Sequence, residues 1–161
     1  EANFIGISGL NRDDEEPGAY ADILRDARAR DLELLSANPD IVVRVGDQLI
    51  WCAGAIARNY AAIGGRVGMA GKPHAPIYDL AYAELAALAG GTIEKSRILC
   101  IGDGIGTDVR GANGQNLDCL FIASGMHGEA LWSDGKLDPA KVDAALAEEH
   151  AHTTYVMAEL A

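Results

Sequence analysis

Cysteine is scarce in this sequence, and a long apolar run is missing from it altogether. The 161 residues include three cysteines, Cys52, Cys100 and Cys119, each within a short apolar run. An odd number of cysteines, with neither a pairing pattern nor the spacing of metal ligands, favours a reducing, cytoplasmic environment. No apolar stretch approaches the roughly 18 residues that a membrane helix needs, and no signal peptide is recognisable. We therefore expect no membrane partner.

Basic side chains are also few, which restricts the possible partners. Thirteen lysines and arginines stand against 24 acidic residues, so the formal net charge is −11. A chain of this charge repels nucleic-acid phosphates and anionic membrane surfaces, and we expect no nucleic-acid partner. A small anionic ligand would need a local cation or a bound metal ion. Because 49% of the residues are hydrophobic, the composition is that of a folded protein.

The first 65 residues alternate between strand and helix patterns. Apolar runs and helical spacing predict, in order, a strand at 3–10, a helix at 19–31, a strand at 32–40, a hairpin at 41–52 that turns at Gly46-Asp47, and a helix at 53–65. This order predicts a small α/β domain over residues 1–65.

Residues 66–161 have a more regular alternation. The predicted order is a strand at 66–73, a helix from Pro76 to about Ala89, a strand at 97–103, a helix at 107–116, a strand at 117–125, an irregular segment at 126–136, a helix at 139–149 and a β-prone run at 153–160. Alternating strands and helices indicate a parallel sheet in an open α/β fold. The strand at 97–103 is fully apolar, which is typical of a strand covered on both faces. The helix after Pro76 carries an apolar stripe, for which the expected core residues are Ile77, Leu80, Ala81, Leu85 and Leu88.

Two aspartates follow the strand at 97–103, in the stretch Gly-Asp-Gly-Ile-Gly-Thr-Asp (102–108). In an open parallel sheet, ligands bind beyond the carboxyl ends of the strands, where Asp103 is expected. Two carboxylates on one tight loop, Asp103 and Asp108, suit a hard divalent cation such as Mg²⁺. The loop alone is equally compatible with a turn-forming Asp103 and a helix-capping Asp108.

A lysine ends the preceding predicted strand, in the motif Gly71-Lys72-Pro73. Considered alone, Lys72 is compatible with a solvated surface position. We expect this strand to belong to the same sheet as the strand at 97–103, which places the Lys72 ammonium at the same edge as Asp103. A lysine beside a metal-binding carboxylate is what phosphoryl transfer requires, since positive charge and positioning stabilise its transition state.

Five motifs between about residues 32 and 125 resemble one enzyme family. They are, in order, SANPD (36–40), CAGAIA (52–57), GKPHAPIYDLA (71–81), GDGIGTDVRGA (102–112) and FIASG (121–125). Their order and sequence are similar to those of haloacid dehalogenase (HAD) superfamily phosphatases of subfamily IIA, the NagD-like and p-nitrophenylphosphatase-like branch. The resemblance implies a Rossmann-like core with a small α/β cap of the C2 type before the Gly-Lys-Pro motif.

The resemblance also implies roles for individual residues. Lys72 would contact the nucleophile and the phosphate, Asp103 would bind Mg²⁺, and Asp108 would support the metal site and catalysis. Asn38, Asp40 and the turn that contains Gly54 would lie in the cap and shape substrate binding. The implied substrate is a small phosphorylated metabolite.

One part of the family pattern is missing from this sequence. Family members begin with an apolar strand that ends in Asp-x-Asp, whose first aspartate accepts the phosphoryl group, followed by a Ser/Thr phosphate binder on the next strand. Neither element occurs here: Asp13-Asp14 lacks the spacing, and no strand is predicted before Asp134 or Asp138. The chain thus corresponds to the cap and the C-terminal half of the core, and we expect this segment alone to be inactive. Half a sheet leaves an exposed strand edge, which the missing N-terminal half or a second copy of the chain would cover.

Two other functions remain open from the sequence. One is a non-catalytic binding or interaction module that keeps half of a metal site. The other is an S-adenosylmethionine- or nucleotide-binding domain, because ILCIGDGIG (98–106) resembles the strand and glycine turn of such domains. Those domains place an acidic residue at the end of the following strand, where this sequence has Ala123-Ser124-Gly125.

Overall fold

The computed structural model describes residues 2–46 and 48–160. It has a mixed α/β fold of two compact units that divide between Gly71 and Lys72. Each unit contains its own parallel sheet and its own buried core. No helix in these residues is both long enough and apolar enough to cross a lipid bilayer.

The first unit is a three-stranded parallel sheet with two helices and a hairpin. Its elements are, in chain order, β1 (Phe4–Ile7), α1 (Ala21–Ala29), β2 (Glu33–Ser36), β3 (Val42–Val45), β4 (Gln48–Trp51), α2 (Ala53–Ala62) and β5 (Arg66–Met69). The strand order is β1-β2-β5. The antiparallel pairing of β3 with β4 confirms the predicted hairpin. Of the two residues of the predicted turn, Asp47 lies outside the described residues.

The core of the first unit lies against the central strand β2. Leu34 on β2 is fully buried, and it clusters with Leu24 of α1 and Ile56 of α2. Tyr60 is also fully buried, and its hydroxyl donates a 2.6 Å hydrogen bond to the Leu32 carbonyl. The polar end of the largest core side chain is therefore satisfied, as burial of a hydroxyl requires.

The second unit also has a three-stranded parallel sheet. Its elements are, in chain order, α3 (Ala75–Ala89), β6 (Leu99–Gly102), α4 (Arg110–Gln115), β7 (Asp118–Ile122), β8 (Trp132–Ser133), β9 (Lys136–Leu137), α5 (Pro139–Glu148) and β10 (Tyr155–Met157). The strand order is β10-β7-β6, so β7 is central. Its Phe121 is fully buried and clusters with Val109 before α4 and Val142 of α5.

The segment at 126–136, predicted to be irregular, contains regular secondary structure. It contains a 3₁₀ helix at Gly128–Leu131 and the β8–β9 hairpin, whose turn residues Asp134 and Gly135 both have positive φ. Short strands therefore do precede Asp134 and Asp138, contrary to the expectation. Their roles are structural: Asp134 forms the turn, and the Asp138 carboxylate caps α5 by accepting the Ala140 N–H at 3.0 Å.

The packed face of α3 differs from the predicted one. Tyr78 is buried and Tyr82 packs against the core, whereas Ile77, Leu80 and Leu88 of the predicted stripe are exposed. Two apolar faces are present on this helix, and hydrophobic spacing alone does not say which of them packs.

Two predictions about strand placement are also wrong. β5 was expected in the same sheet as β6, but it pairs in parallel with β2 of the first unit, with Glu33 opposite Arg66. β5 therefore lies in the first compact unit, which ends at Gly71, while a cap role for this unit stays a prediction. β6 was expected to be covered on both faces, yet Leu99 is 45% and Ile101 52% exposed. Within the described residues β6 is an edge strand.

Candidate active site

Asp103 follows directly on the last residue of β6 and is half-buried. Its Oδ2 accepts a 2.8 Å hydrogen bond from the backbone N–H of Met126, in the loop after β7. The described residues provide no hydrogen-bond donor to its other oxygen, Oδ1. Asp103 thus lies at the carboxyl end of the sheet, as predicted, with one carboxylate oxygen available.

Asp108 lies five residues further along, within a π-helical turn at Ile105–Val109. It is only 8% exposed. Its Oδ1 accepts from Lys72 Nζ at 2.5 Å, and its Oδ2 accepts from the Gly104 N–H at 3.0 Å. Both oxygens of Asp108 therefore have a partner inside the protein. The residue is not the helix N-cap that the sequence allowed, because its side chain bonds back to the loop before the turn.

Gly102 makes this arrangement sterically possible. A Cβ at this position would overlap the carboxylate of Asp108. The backbone at the end of β6 must therefore lack a side chain for Asp108 to fold back over it. π-helical turns occur frequently at functional sites, and this one brings a carboxylate onto the carboxyl end of a strand.

The Lys72 side chain contacts Asp108, although the strand before Lys72 does not lie in the sheet that was predicted for it. The Lys72 side chain is 51% exposed, so its ammonium is paired on one side and open to solvent on the other. An ammonium has three N–H donors, and one of them is engaged by Asp108. The remaining donors are available to an anion.

A phenol and a thiol near Asp108 both have raised pKa values. Burial raises the pKa of Tyr78 to about 12, and the negative charge of Asp108 acts in the same direction. Burial also raises the pKa of the Cys100 thiol, with a further increase from Asp108 that is opposed by Lys72. The lysine–aspartate pair therefore borders on neutral groups rather than on competing anions.

The Tyr78 pKa leads to a prediction for alkaline pH. The folded protein keeps the phenol neutral to a higher pH than the unfolded chain does, whose tyrosines titrate near 10.0. Its contribution to stability is therefore complete below about pH 10 and is lost as the pH rises through about 12. A titration followed by tyrosinate absorbance should show a late step that is absent from Tyr78→Phe and from the urea-unfolded protein. The same curve for Tyr78→Phe and the native protein would contradict the assignment.

The predicted substrate-binding residues of the first unit do come together. The Asn38 carboxamide oxygen accepts the Asp40 N–H at 2.9 Å, and the Gly54 N–H donates to the Asp40 carbonyl at 3.0 Å. Gly54 is buried, and a Cβ there would overlap the carbonyl of Pro39. These contacts fix the 38–40 loop against the start of α2. A contact of these residues with substrate stays a prediction.

The carboxylate of Asp103 suits Mg²⁺, which takes few protein ligands, but not a metal ion whose ligands would all come from this chain. No group of three or more His, Cys, Asp or Glu side chains that could hold a metal ion occurs in residues 2–46 and 48–160. Mg²⁺ usually takes one or two protein carboxylates and completes its coordination with water and substrate phosphate. Asp103 offers one carboxylate oxygen without a hydrogen-bond donor among the described residues, whereas both oxygens of Asp108 already accept a hydrogen bond.

The contribution of the loop after β7 could not be predicted from the sequence. The motif FIASG was recognised for its resemblance, but the pattern gave no sign that Gly125 and Met126 lie against Asp103. A glycine three residues after a buried strand was the available signal. Its partner, 22 positions earlier in the chain (125 − 103), could not be identified without the register of β6 and β7.

These features define a class of protein: an open α/β fold with a lysine–carboxylate pair at the carboxyl end of a parallel sheet. A family model described as HAD-hydrolase-like matches residues 69–156, more than half of the chain. The chain belongs to this HAD-like hydrolase family. A comparison with curated protein sequences gives no match.

Solved structures show the same fold. A haloacid dehalogenase-like hydrolase from Brucella suis is similar at 42% identity with a TM-score of 0.80, over 100% of this chain and 56% of that one. A p-nitrophenyl phosphatase from Archaeoglobus fulgidus shares 20% identity with a TM-score of 0.68, over 98% of this chain and 54% of that one. A possible sugar phosphatase from Cytophaga hutchinsonii shares 20% identity with a TM-score of 0.69, over 90% of this chain and 48% of that one. This chain therefore spans about half the length of the structures it resembles.

Proposed function

We propose that this chain is part of a Mg²⁺-dependent phosphomonoesterase that acts on a small phosphorylated metabolite, such as a sugar phosphate or a nucleotide. The observation that carries the proposal is the loop after β6. It holds Asp103 with one open carboxylate oxygen and, five residues on, the Asp108 that pairs with Lys72. A cation ligand and a fixed ammonium are the two groups that a phosphate dianion requires in a chain of net charge −11.

In this mechanism Lys72 binds a phosphate oxygen through the N–H groups that Asp108 leaves available. Asp108, buried and held by the Gly104 N–H, keeps the ammonium in place and thereby limits the reorganisation needed during the reaction. Asp103 supplies the open carboxylate oxygen toward the cation. Bound Mg²⁺ would neutralise phosphate charge as it develops in the transition state.

The proposal assigns the phosphoryl-accepting group to a segment outside this chain. The sequence contains no Asp-x-Asp motif, and we propose that the 161 residues alone do not turn over substrate. An N-terminal half of the core would supply the nucleophile and pack on the exposed Leu99 and Ile101 of β6. This placement is supported by the open edge of β6 and by the length of the similar structures. A homodimer is the alternative cover for the same edge.

The first unit is proposed to act as the substrate-selecting cap, with Asn38, Asp40 and Gly54 in its rigid loop. A cytoplasmic location is part of the proposal and rests on the three free thiols at Cys52, Cys100 and Cys119. A non-catalytic module that retains only half of a metal site is the second candidate, favoured by the missing nucleophile motif.

The test is an assay of the complete protein on p-nitrophenyl phosphate, with Mg²⁺ and with a chelator. We expect turnover that requires Mg²⁺, and no turnover by the 161-residue chain assayed in parallel. Equal rates with Mg²⁺ and with chelator would refute the metal assignment. Failure of the complete protein to hydrolyse any phosphate monoester would favour the non-catalytic module.

A further inference from the structure

Gly125 lies against Asp103, although the two residues belong to different loops. A Cβ at Gly125 would overlap the carboxylate and the Cβ of Asp103. Gly125 has no positive φ that would itself require glycine. Glycine is therefore required at this position for steric reasons, because the Asp103 side chain occupies the volume that the Cβ of any other residue would need.

The next residue fixes the orientation of the same carboxylate. The Met126 N–H donates to Asp103 Oδ2 at 2.8 Å. Hydrogen bonds to a carboxylate are stronger than those between neutral groups, so this contact favours one orientation of the side chain. With Oδ2 engaged, Oδ1 is the oxygen left open among the described residues.

Asp108 is held differently, which separates the two acids by role. Lys72 and the Gly104 N–H engage both of its oxygens, and among the described residues no hydrogen bond to its side chain comes from the loop after β7. A change at Gly125 should therefore act on Asp103 and leave the lysine–aspartate pair in place.

We propose that Gly125 and the Met126 N–H form a positioning element that orients Asp103 Oδ1 toward a divalent cation. This inference rests on the proposed function, because it assumes that Asp103 binds the cation. Partners that orient a metal-ligating carboxylate typically change metal affinity by about 10- to 100-fold when they are lost.

The first test is cation binding by Gly125→Ala in the complete protein. Calorimetric titration with Mg²⁺ should give an affinity about 10- to 100-fold weaker than that of the unmodified protein. Gly114→Ala is the matched control, since a Cβ at Gly114 meets no atom within 4 Å. The amide resonance of Met126 should shift on Mg²⁺ addition in the unmodified protein and much less in Gly125→Ala. Unchanged affinity in Gly125→Ala would overturn the proposal.

A second pair of variants does not depend on the overlap at Gly125. Met126→Pro removes the N–H donor, whereas Met126→Ala removes the exposed side chain and keeps the donor. Met126→Pro should weaken cation binding relative to Met126→Ala, and equal affinities would overturn the proposal. If the unmodified protein binds no Mg²⁺ and hydrolyses no phosphate ester, the proposed function fails as well. If it does both and the variants match it, only the positioning role fails.

Discussion

Replacing Lys72 by alanine should lower kcat/KM for phosphate monoesters by about 10²-fold or more, because a preorganised positive charge is removed from the phosphate site. Stability should fall less than activity. Solvent around the half-exposed Lys72 side chain weakens the ion pair, although its removal leaves the buried Asp108 carboxylate without its ammonium partner. Asp108 also keeps its hydrogen bond from Gly104. Thermal midpoint and kcat/KM measured on the complete protein would check both expectations.

Lys136→Ala is the matched control for that experiment. Lys136 is an exposed lysine on the short strand β9 of the same unit, so its removal changes the net charge equally without touching Asp108. We expect nearly normal activity in Lys136→Ala and strongly reduced activity in Lys72→Ala. This result would show that the loss of activity depends on where the lysine lies and not on the change in net charge. A large loss of stability in Lys72→Ala, with a proportionate loss of activity, would instead make Lys72 a structural residue.

Asp103→Asn should reduce activity by orders of magnitude at ordinary Mg²⁺ concentrations. The carboxamide oxygen can still accept the Met126 N–H, so the loop is retained while the negative charge that attracts the cation is lost. Higher Mg²⁺ should recover part of the rate. The measurement is the rate of p-nitrophenyl phosphate hydrolysis as a function of Mg²⁺ concentration.

Asp108→Asn provides the comparison within the same loop. Its charge pairs with Lys72 inside the protein, so its loss should affect substrate binding and rate more than the Mg²⁺ concentration needed for activity. Asp143→Asn, on the exposed side of α5, is the neutral control. A stronger Mg²⁺ requirement in Asp108→Asn than in Asp103→Asn would show that the roles assigned to the two aspartates are reversed.

The elements that could be predicted from the sequence are those with local signals. α3 begins beside Pro76 and ends at Gly90 in the left-handed conformation, and both signals are visible in the sequence. The β3–β4 hairpin, the buried strand β7 and α5 were found in the same way. Each of these depends on residues that are close together in the chain.

The errors concern choices that local sequence does not determine. The pairing of β5 with β2 joins residues 33 positions apart, such as Glu33 and Arg66, and nothing near β5 indicates this partner. On α3, the Tyr78 and Tyr82 face and the Ile77 and Leu80 face are both apolar. Which of the two faces becomes buried depends on the other elements that pack against the helix.

The sheet that was expected to hold the candidate site is not the one observed. Lys72 was expected at the same sheet edge as Asp103, whereas the observed contact is a side-chain ion pair between Lys72 and Asp108 within the second unit. The hydrogen bonds that hold the two carboxylates could not be predicted, because they come from backbone donors. The Gly104 N–H bonds to Asp108 and the Met126 N–H bonds to Asp103, and neither donor carries a side-chain signature.

The division of the chain at Gly71 has a consequence for its biosynthesis. The sheet of the first unit is complete once β5 has been made, whereas the second sheet needs β10 at Tyr155–Met157, close to the end of the chain. Ribosomes add about 5 to 20 residues per second, and domains generally fold as they emerge. The nascent polypeptide can therefore bury Leu34 and Tyr60 seconds before the three strands of the second sheet have all been translated, so the loop that holds Asp103 acquires its supporting sheet last.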